Sequence, residues 1–270
     1  MSVIFGTDLD DSLTGTDSND RIYGKAGKDT VSGGSGNDLL CGGDGDDTVY
    51  GDTLYGSESG NDRIYGDAGN DLLFGGYGTD EIHGGSGNDS LNGYYGNDRL
   101  YGDSGDDWLT GSWGNDVVNG GSGNDYIDGA GGRRPNDMYS SASRGRGEID
   151  ILIGGAGADT FNFTSSGAGR DGQGIAYAGS NDYALITDFN KNEDVIKLSR
   201  NDNSPFTSYT FTEVTYTLGA SPDGLPSGTG IYAQFANNTS AAPELIAILQ
   251  GVSPDTLNLN ASYFQYVRYS

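Results

Sequence analysis

Along the first three fifths of the chain, one aliphatic or aromatic position recurs with a period of nine. The column reads Leu13, Ile22, Val31, Leu40, Val49, then Ile64, Leu73, Ile82, Leu91, Leu100, Leu109, Val118 and Ile127, then Leu152 and Phe161. Between successive members lies a run rich in Gly, Asn and Asp, such as "GGSGND" at 33–38, 84–89 and 120–125. Nine residues hold one short strand and one turn, too little for a helical repeat. Taking the apolar residue and its two neighbours as the strand, period-two geometry turns the apolar side chain inward and both neighbours outward. If each nonapeptide is half a coil, eighteen residues close one turn of a flattened parallel solenoid. The apolar column then fills its narrow interior. The glycines belong to the turns, where they allow positive φ and close backbone approach.

An aspartate stands two places before every apolar member. It is Asp11, Asp20, Asp29, Asp38, Asp47, Asp62, Asp71, Asp80, Asp89, Asp98, Asp107, Asp116, Asp125, Asp150 and Asp159, so all fifteen repeats from Gly6 to Asn162 keep both columns. Two insertions interrupt the spacing, one near 53–58 and one near 131–148. The frame resumes in phase after each, which places the extra residues in turns. The first two repeats, "GTDLDDSLT" and "GTDSNDRIY", lack the inner glycines and read as a capping end. After Asn162 the repeat stops. Segments such as "YALITDF", "DVIKLS", "GIYAQFA" and "ELIAILQGV" read as strands between Gly, Pro and Asn turns. Two domains are therefore expected, a repeat solenoid over 1–162 and a small β cap over 163–270.

Composition changes this picture in one respect. Hydrophobic residues make up 34%, there are 48 glycines, and the net charge is −25. Such a chain has little apolar surface to offset its conformational entropy, so a folded state needs another source of free energy. The charge argues against nucleic acid, whose binders present a basic face, and against anionic membrane surfaces. No stretch has the roughly 18 apolar residues of a membrane span. The start, "MSVIFGTDLDDSLTG", has neither the basic region nor the apolar run of an ordinary signal peptide. Cys41 is the one cysteine, so no internal disulfide forms.

The solenoid frame stacks the carboxylates. Asp71, Asp89, Asp107 and Asp125 fall eighteen apart on one side, and Asp62, Asp80, Asp98 and Asp116 fall eighteen apart on the other. Neighbouring strands lie about 4.8 Å apart, where two bare carboxylates repel by roughly 3.5 kcal/mol at an effective dielectric near 20. Repeated along two columns, this exceeds the stability of an ordinary domain. Cations are needed between the carboxylates. The ligands on offer are oxygens, with no repeated His or Cys, and flexible all-oxygen shells of six or more suit Ca²⁺ over Mg²⁺.

The repeats resemble the RTX (repeats-in-toxin), or hemolysin-type, calcium-binding nonapeptide G-G-x-G-x-D-x-U-x. The resemblance implies an all-β fold, a right-handed parallel β-roll. It also implies shared ligands: second- and fourth-position carbonyls and the Asp of one turn, with first- and third-position carbonyls and the Asp of the turn one coil later. One site would join Gly85, Gly87 and Asp89 to Gly102, Ser104 and Asp107. Another, on the opposite edge, would join Gly76, Gly78 and Asp80 to Gly93, Tyr95 and Asp98. Carried along the well-formed repeats, the scheme adds Gly34, Gly36, Gly43, Gly45, Gly69, Gly96, Gly105, Gly114, Gly121 and Gly123. Its aspartates are Asp29, Asp38, Asp47, Asp62, Asp71, Asp80, Asp89, Asp98, Asp107, Asp116, Asp125 and Asp159. About ten calcium ions follow. Leu9 and Ser18 replace the fourth glycine, which sets Asp11 and Asp20 apart. Asp150 follows the long insertion without its turn glycines, and Asp159 is expected to end its column. The segments "GGAGADTFNF", "ALITDFNKNEDVIKLS" and "ELIAILQGVS" look like the closing part of secreted bacterial RTX proteins, which implies type I secretion and an extracellular or cell-surface location.

Other residues carry less chemistry. His83 is the one histidine, at an outward ninth position, and leaves no cluster for zinc and no hydrolase triad. Arg21, Arg63 and Arg99 share the seventh position of every fourth repeat, and Tyr23, Tyr65 and Tyr101 the ninth. These form either a strip for an anionic polysaccharide or the relic of a duplicated four-repeat block. Arg133, Arg134, Arg144 and Arg146 sit in the long insertion. The functional expectation is a secreted, non-enzymatic calcium-binding structural, surface-layer or adhesion protein that folds on meeting external calcium. The alternatives are a calcium-dependent carbohydrate-binding module and an accessory subunit of a secreted hydrolase.

Overall fold

A computed structural model of the chain describes residues 1–52, 60–129, 148–163, 183–200, 214–235 and 243–268. Among these residues the secondary structure is almost wholly strand, β1 (Val3–Phe5) through β22 (Phe264–Arg268), with one short 3-10 turn at Pro254–Thr256. Odd-numbered strands build one sheet and even-numbered strands the other over the whole repeat region. Every pairing there is parallel. In the first sheet, β11 (Arg99–Ser104) lies between β9 (Glu81–Ser86) and β13 (Val117–Ser122), with Leu100 opposite Ile82 and Val118. In the second, β10 (Ser90–Tyr95) lies between β8 (Leu72–Tyr77) and β12 (Trp108–Trp113), with Leu91 opposite Leu73 and Leu109. The register is eighteen residues per coil, and the fold is a parallel β-roll.

The apolar column is the core. Ile22, Val31, Leu40, Ile64, Leu73, Leu100, Leu109 and Leu152 are all 0% exposed. Burial of such a side chain contributes about 1.5–3 kcal/mol. Each nonapeptide supplies one, so the interior is continuous but thin. Outward neighbours stack along the roll instead. Tyr65 and Tyr101 sandwich the His83 ring at 5.2 and 4.5 Å, and Trp108 stacks on Tyr126 at 4.2 Å.

The nonapeptide ends at Asn162, but the two sheets continue past it. Strands β17 (Tyr183–Ile186) and β18 (Val195–Arg200) pair in parallel with β15 (Ile149–Ala156) and β16 (Thr160–Phe163). Beyond them, β21 (Glu244–Gln250) adds to β17 and β22 adds to β18, again in parallel. Antiparallel pairing begins only with β20 (Gly228–Phe235) and β19 (Val214–Ala220). The interior there adds Phe161, Phe163, Phe189 and Phe264 to aliphatics such as Ile186, Ile196 and Leu249. The insertion near 53–58, and all but residue 148 of the insertion near 131–148, with Arg133, Arg134, Arg144 and Arg146, lie outside the described residues.

Candidate metal centre

The turns place the aspartates in two files, one on each edge of the roll. The backbone N–H of each Asp donates to Oδ1 of the Asp one coil later. On the first edge the links run Asp29 to Asp47, Asp71, Asp89, Asp107, Asp125 and Asp159, at 2.7–3.0 Å. On the second they run Asp38 to Asp62, Asp80, Asp98, Asp116 and Asp150, at 2.8–2.9 Å. The spacing read from the sequence is thus the stacking register. Asp150, set apart by its missing turn glycines, joins its file fully and is 1% exposed.

The first file does not end at Asp159. Asp194 Oδ1 accepts the Asp159 N–H at 3.2 Å, across 35 residues with no nonapeptide between them. This corrects the expectation that Asp159 is terminal. Nearby, Asp188 accepts the N–H groups of Gly154 and Gly155 through its two oxygens, at 3.0 and 2.8 Å. In the sequence Asp194 keeps the repeat spacing, two places before Ile196, which lies opposite Phe161, whereas Asp188 in "TDFNKNED" has no periodic partner.

The other carboxylate oxygen is the chemically informative one. Oδ2 of Asp29, Asp38, Asp47, Asp62, Asp71, Asp80, Asp89, Asp98, Asp107, Asp116 and Asp125 is buried and meets no hydrogen-bond donor. A buried, unpaired carboxylate oxygen is costly, and here eleven stand in two lines. Burial pushes the carboxyls up, to about 6 at Asp89 and Asp125, about 7 at Asp71, Asp98 and Asp107, about 8 at Asp62 and Asp80, and about 9 at Asp116. Charged neighbours one coil away add to this, as Asp150 does for Asp116. Only protons or bound cations relieve such a file.

At the ends the same oxygen is satisfied by protein. Asp11 Oδ2 takes the Thr7 N–H and hydroxyl at 2.6 and 2.8 Å. Asp20 Oδ2 takes those of Thr16, both at 2.7 Å, and its carboxyl is pulled down to about 2, chiefly by the Thr16 hydroxyl. Asp194 Oδ2 takes the Asn190 N–H at 2.7 Å. Each donor lies four residues before its Asp. These repeats close the files by protein contacts, which explains physically why the first two have Thr in place of glycine.

The turn glycines have two separate reasons. Those at the second and fourth positions, such as Gly85 and Gly105, have φ of +107° and +133°, where L side chains are strained. A Cβ on Gly105 would also fall on the Gly87 carbonyl oxygen one coil earlier. First-position glycines need no positive φ. A Cβ on Gly111 would lie 2.5 Å from Asp116 Oδ2 and 2.7 Å from the carbonyl oxygen of Gly129. Gly84 is placed alike between Asp89 Oδ2 and the Gly102 carbonyl. Beyond Gly93 and Gly102, the whole first-position column, including Gly66, Gly75 and Gly120, is excluded from carrying a side chain by the same contact. Lys25, Asp67, Tyr94, Asp103 and Ser112 are non-glycine second-position residues held at positive φ.

The donor set fits a hard cation. No three His, Cys, Asp or Glu side chains converge among the described residues, so side chains alone do not build a shell. Each gap between coils instead offers two carboxylates and turn carbonyls such as those of Gly87 and Gly102. The third-position carbonyls of Ser104 and Tyr95 already accept the N–H groups of Gly87 and Gly78, at 2.9 and 2.8 Å. A carbonyl has a second lone pair left for an ion. His83 lies away from the files, with Nδ1 3.1 Å from Asp103 Oδ2 and Nε2 3.6 Å from Glu81 Oε1. Burial pushes the Cys41 thiol up to about 11.

A family comparison agrees with this reading of the turns. The family described as "RTX calcium-binding nonapeptide repeat (4 copies)" matches residues 5–40, 26–55, 57–91, 92–127 and 144–164. Among solved structures, one similar chain is the AlgE6R3 subunit of the Azotobacter vinelandii mannuronan C5-epimerase. It is 21% identical, with 69% of this chain and 83% of that one covered, at a TM-score of 0.27. No curated protein matches.

Proposed function

This chain belongs to the RTX calcium-binding nonapeptide repeat family, and we propose that it is a secreted, non-enzymatic structural, surface-layer or adhesion protein that folds when it meets extracellular calcium. The observation that carries this reading is the row of eleven buried, unpaired Asp Oδ2 atoms. Deprotonated and without cations, the files oppose the fold; with cations between the coils, the same carboxylates hold it. Binding free energy is then folding free energy. Extracellular calcium modules work at about 10⁻⁴ to 10⁻³ M, above cytosolic levels, so the chain would stay unfolded until exported. In this proposal residues 1–162 are the calcium-binding part and residues 163–270 close it and carry the export address. The ligands are Asp29, Asp38, Asp47, Asp62, Asp71, Asp80, Asp89, Asp98, Asp107, Asp116, Asp125 and Asp159 with their turn carbonyls, holding about ten ions.

Circular dichroism at neutral pH tests this. With EGTA the spectrum should be coil-like, and it should turn to β over a steep calcium titration that equal magnesium does not reproduce. A β spectrum in EGTA, unmoved by calcium, would falsify the reading.

A second reading has its own observation. Arg21, Arg63 and Arg99 are exposed on one face and make no ion pair among the described residues. Arg63 and Arg99 flank Glu81 in register, two coils apart. Unpaired guanidinium groups in a line suit the carboxylates of an anionic polysaccharide. A glycan array in millimolar calcium, with Arg63→Ala and Arg99→Ala as controls, distinguishes this reading from the first.

A further inference from the structure

The two edges of the roll are not alike. On the edge of Asp62, Asp80, Asp98 and Asp116, the third turn position is aromatic in three successive coils. Tyr77 stacks on Tyr95 at 4.7 Å and Tyr95 on Trp113 at 4.3 Å, with planes within 4° of parallel. All three are half-buried. Their carbonyls accept the N–H groups of Gly60, Gly78 and Gly96, so the turns that carry the ladder are tied coil to coil. The fifth position there is neutral, as at Asn61, Asn97 and Asn115.

On the edge of Asp71, Asp89, Asp107 and Asp125, the third position holds exposed Ser86, Ser104 and Ser122. Exposed carboxylates stand beside the file, Asp67 and Asp103 at the second position and Asp46 and Asp106 at the fifth. One edge is thus open and surrounded by extra negative charge. The other carries the stacked rings, and the extra carboxylate beside its file, Asp52, is buried and accepts the Tyr77 N–H at 2.8 Å.

Resting on the calcium reading, we propose that the two files hold kinetically distinct ions: a labile set at the open acidic edge and a slowly exchanging set beneath the Tyr77–Tyr95–Trp113 ladder. An ion leaving its site must regain water as each protein oxygen lets go. Stacked rings hinder water's approach to the gap. Clustered carboxylates, by contrast, concentrate cations and speed their arrival, a salt-sensitive effect.

Stopped-flow release from the calcium-loaded full chain into an excess of fluorescent chelator decides the matter. Two phases are expected, separated by roughly tenfold or more, the scale at which local charge alters ion traffic. Tyr95→Ser and Trp113→Ser, which copy the opposite edge, should accelerate the slow phase and leave the fast phase in place. Asp67→Asn with Asp103→Asn should slow loading of the fast set and flatten its salt dependence. Asn tolerates the positive φ at both positions. Should the serine variants fail to fold, Ser104→Tyr gives the reciprocal test and should move part of the fast amplitude into the slow phase. A single phase overturns the proposal. So does a slow phase untouched by every folded variant, or two phases that move together. An absence of any calcium binding would instead overturn the parent reading.

Discussion

The backbone N–H of Asp89 donates to Asp107 Oδ1 at 2.7 Å, one coil away, while the buried Oδ2 of the same Asp107 meets no donor. One oxygen therefore locks the register, and the other is left for a proton or a cation. Repeated along two edges, this division of labour makes each aspartate both a strut between coils and a ligand.

Asp89 faces both Asp71 and Asp107, so Asp89→Ala should remove about two ions and leave the Asp71 N–H without its acceptor, at a cost of about 1–3 kcal/mol. Asp20→Ala should cost stability without changing stoichiometry, because Thr16 already fills its Oδ2. Isothermal titration of both variants checks this, and equal losses of ions would contradict the closed-end geometry.

Folded-state carboxyls here lie above the unfolded value of 3.8, from about 6 at Asp89 to about 9 at Asp116. The folded state then binds more protons than the unfolded chain between those values, so metal-free stability falls as pH rises through the folded pKa values. In calcium-stripped buffer the β signal should be greater near pH 5 than near pH 9. With calcium present the trend reverses, because ions replace protons, and binding near neutral pH should release protons. A metal-free β signal that grows with pH would refute the burial of these groups.

Gly111 and Gly224 separate crowding from strain. Gly224 has φ of +84° and nothing within 4 Å of a built Cβ, so Gly224→Ala should cost about 1–2 kcal/mol through backbone strain alone and leave calcium binding intact. Gly111→Ala has no such strain but drives a methyl between Asp116 Oδ2 and the Gly129 carbonyl. It should cost about 1–3 kcal/mol by overpacking and weaken an ion site as well. Thermal melts with and without calcium distinguish the two: the calcium-induced rise in Tm should shrink for Gly111→Ala only.

Asp188→Ala removes the acceptor for both Gly154 and Gly155 N–H groups. A loss of about 1–3 kcal/mol follows from bonds to a charged acceptor. It should appear first as faster hydrogen exchange in β15 and β17, leaving coils near Asp80 protected, since solenoid damage stays local.

The sequence by itself determined the period, the inward column from Leu13 to Phe161, the two aspartate files and the class of ion they suit. Each of these is local information. A positive-φ turn and one inward side chain per nine residues repeat the same geometry wherever they occur, so Gly87, Asp89 and Leu91 could be placed without knowing what lies beyond them. Only the tertiary structure decided where the files end and how the edges differ. Asp194 joins Asp159 from 35 residues away because a backbone donor one coil earlier was available. No nine-residue frame runs unbroken between them. Thr7 and Thr16 close the N-terminal end because a hydroxyl and an N–H can do for one carboxylate oxygen what an ion does elsewhere. The Tyr77–Tyr95–Trp113 ladder came from register: residues eighteen apart become neighbours only when coils stack, and their rings then meet face to face on one edge while serines stay exposed on the other.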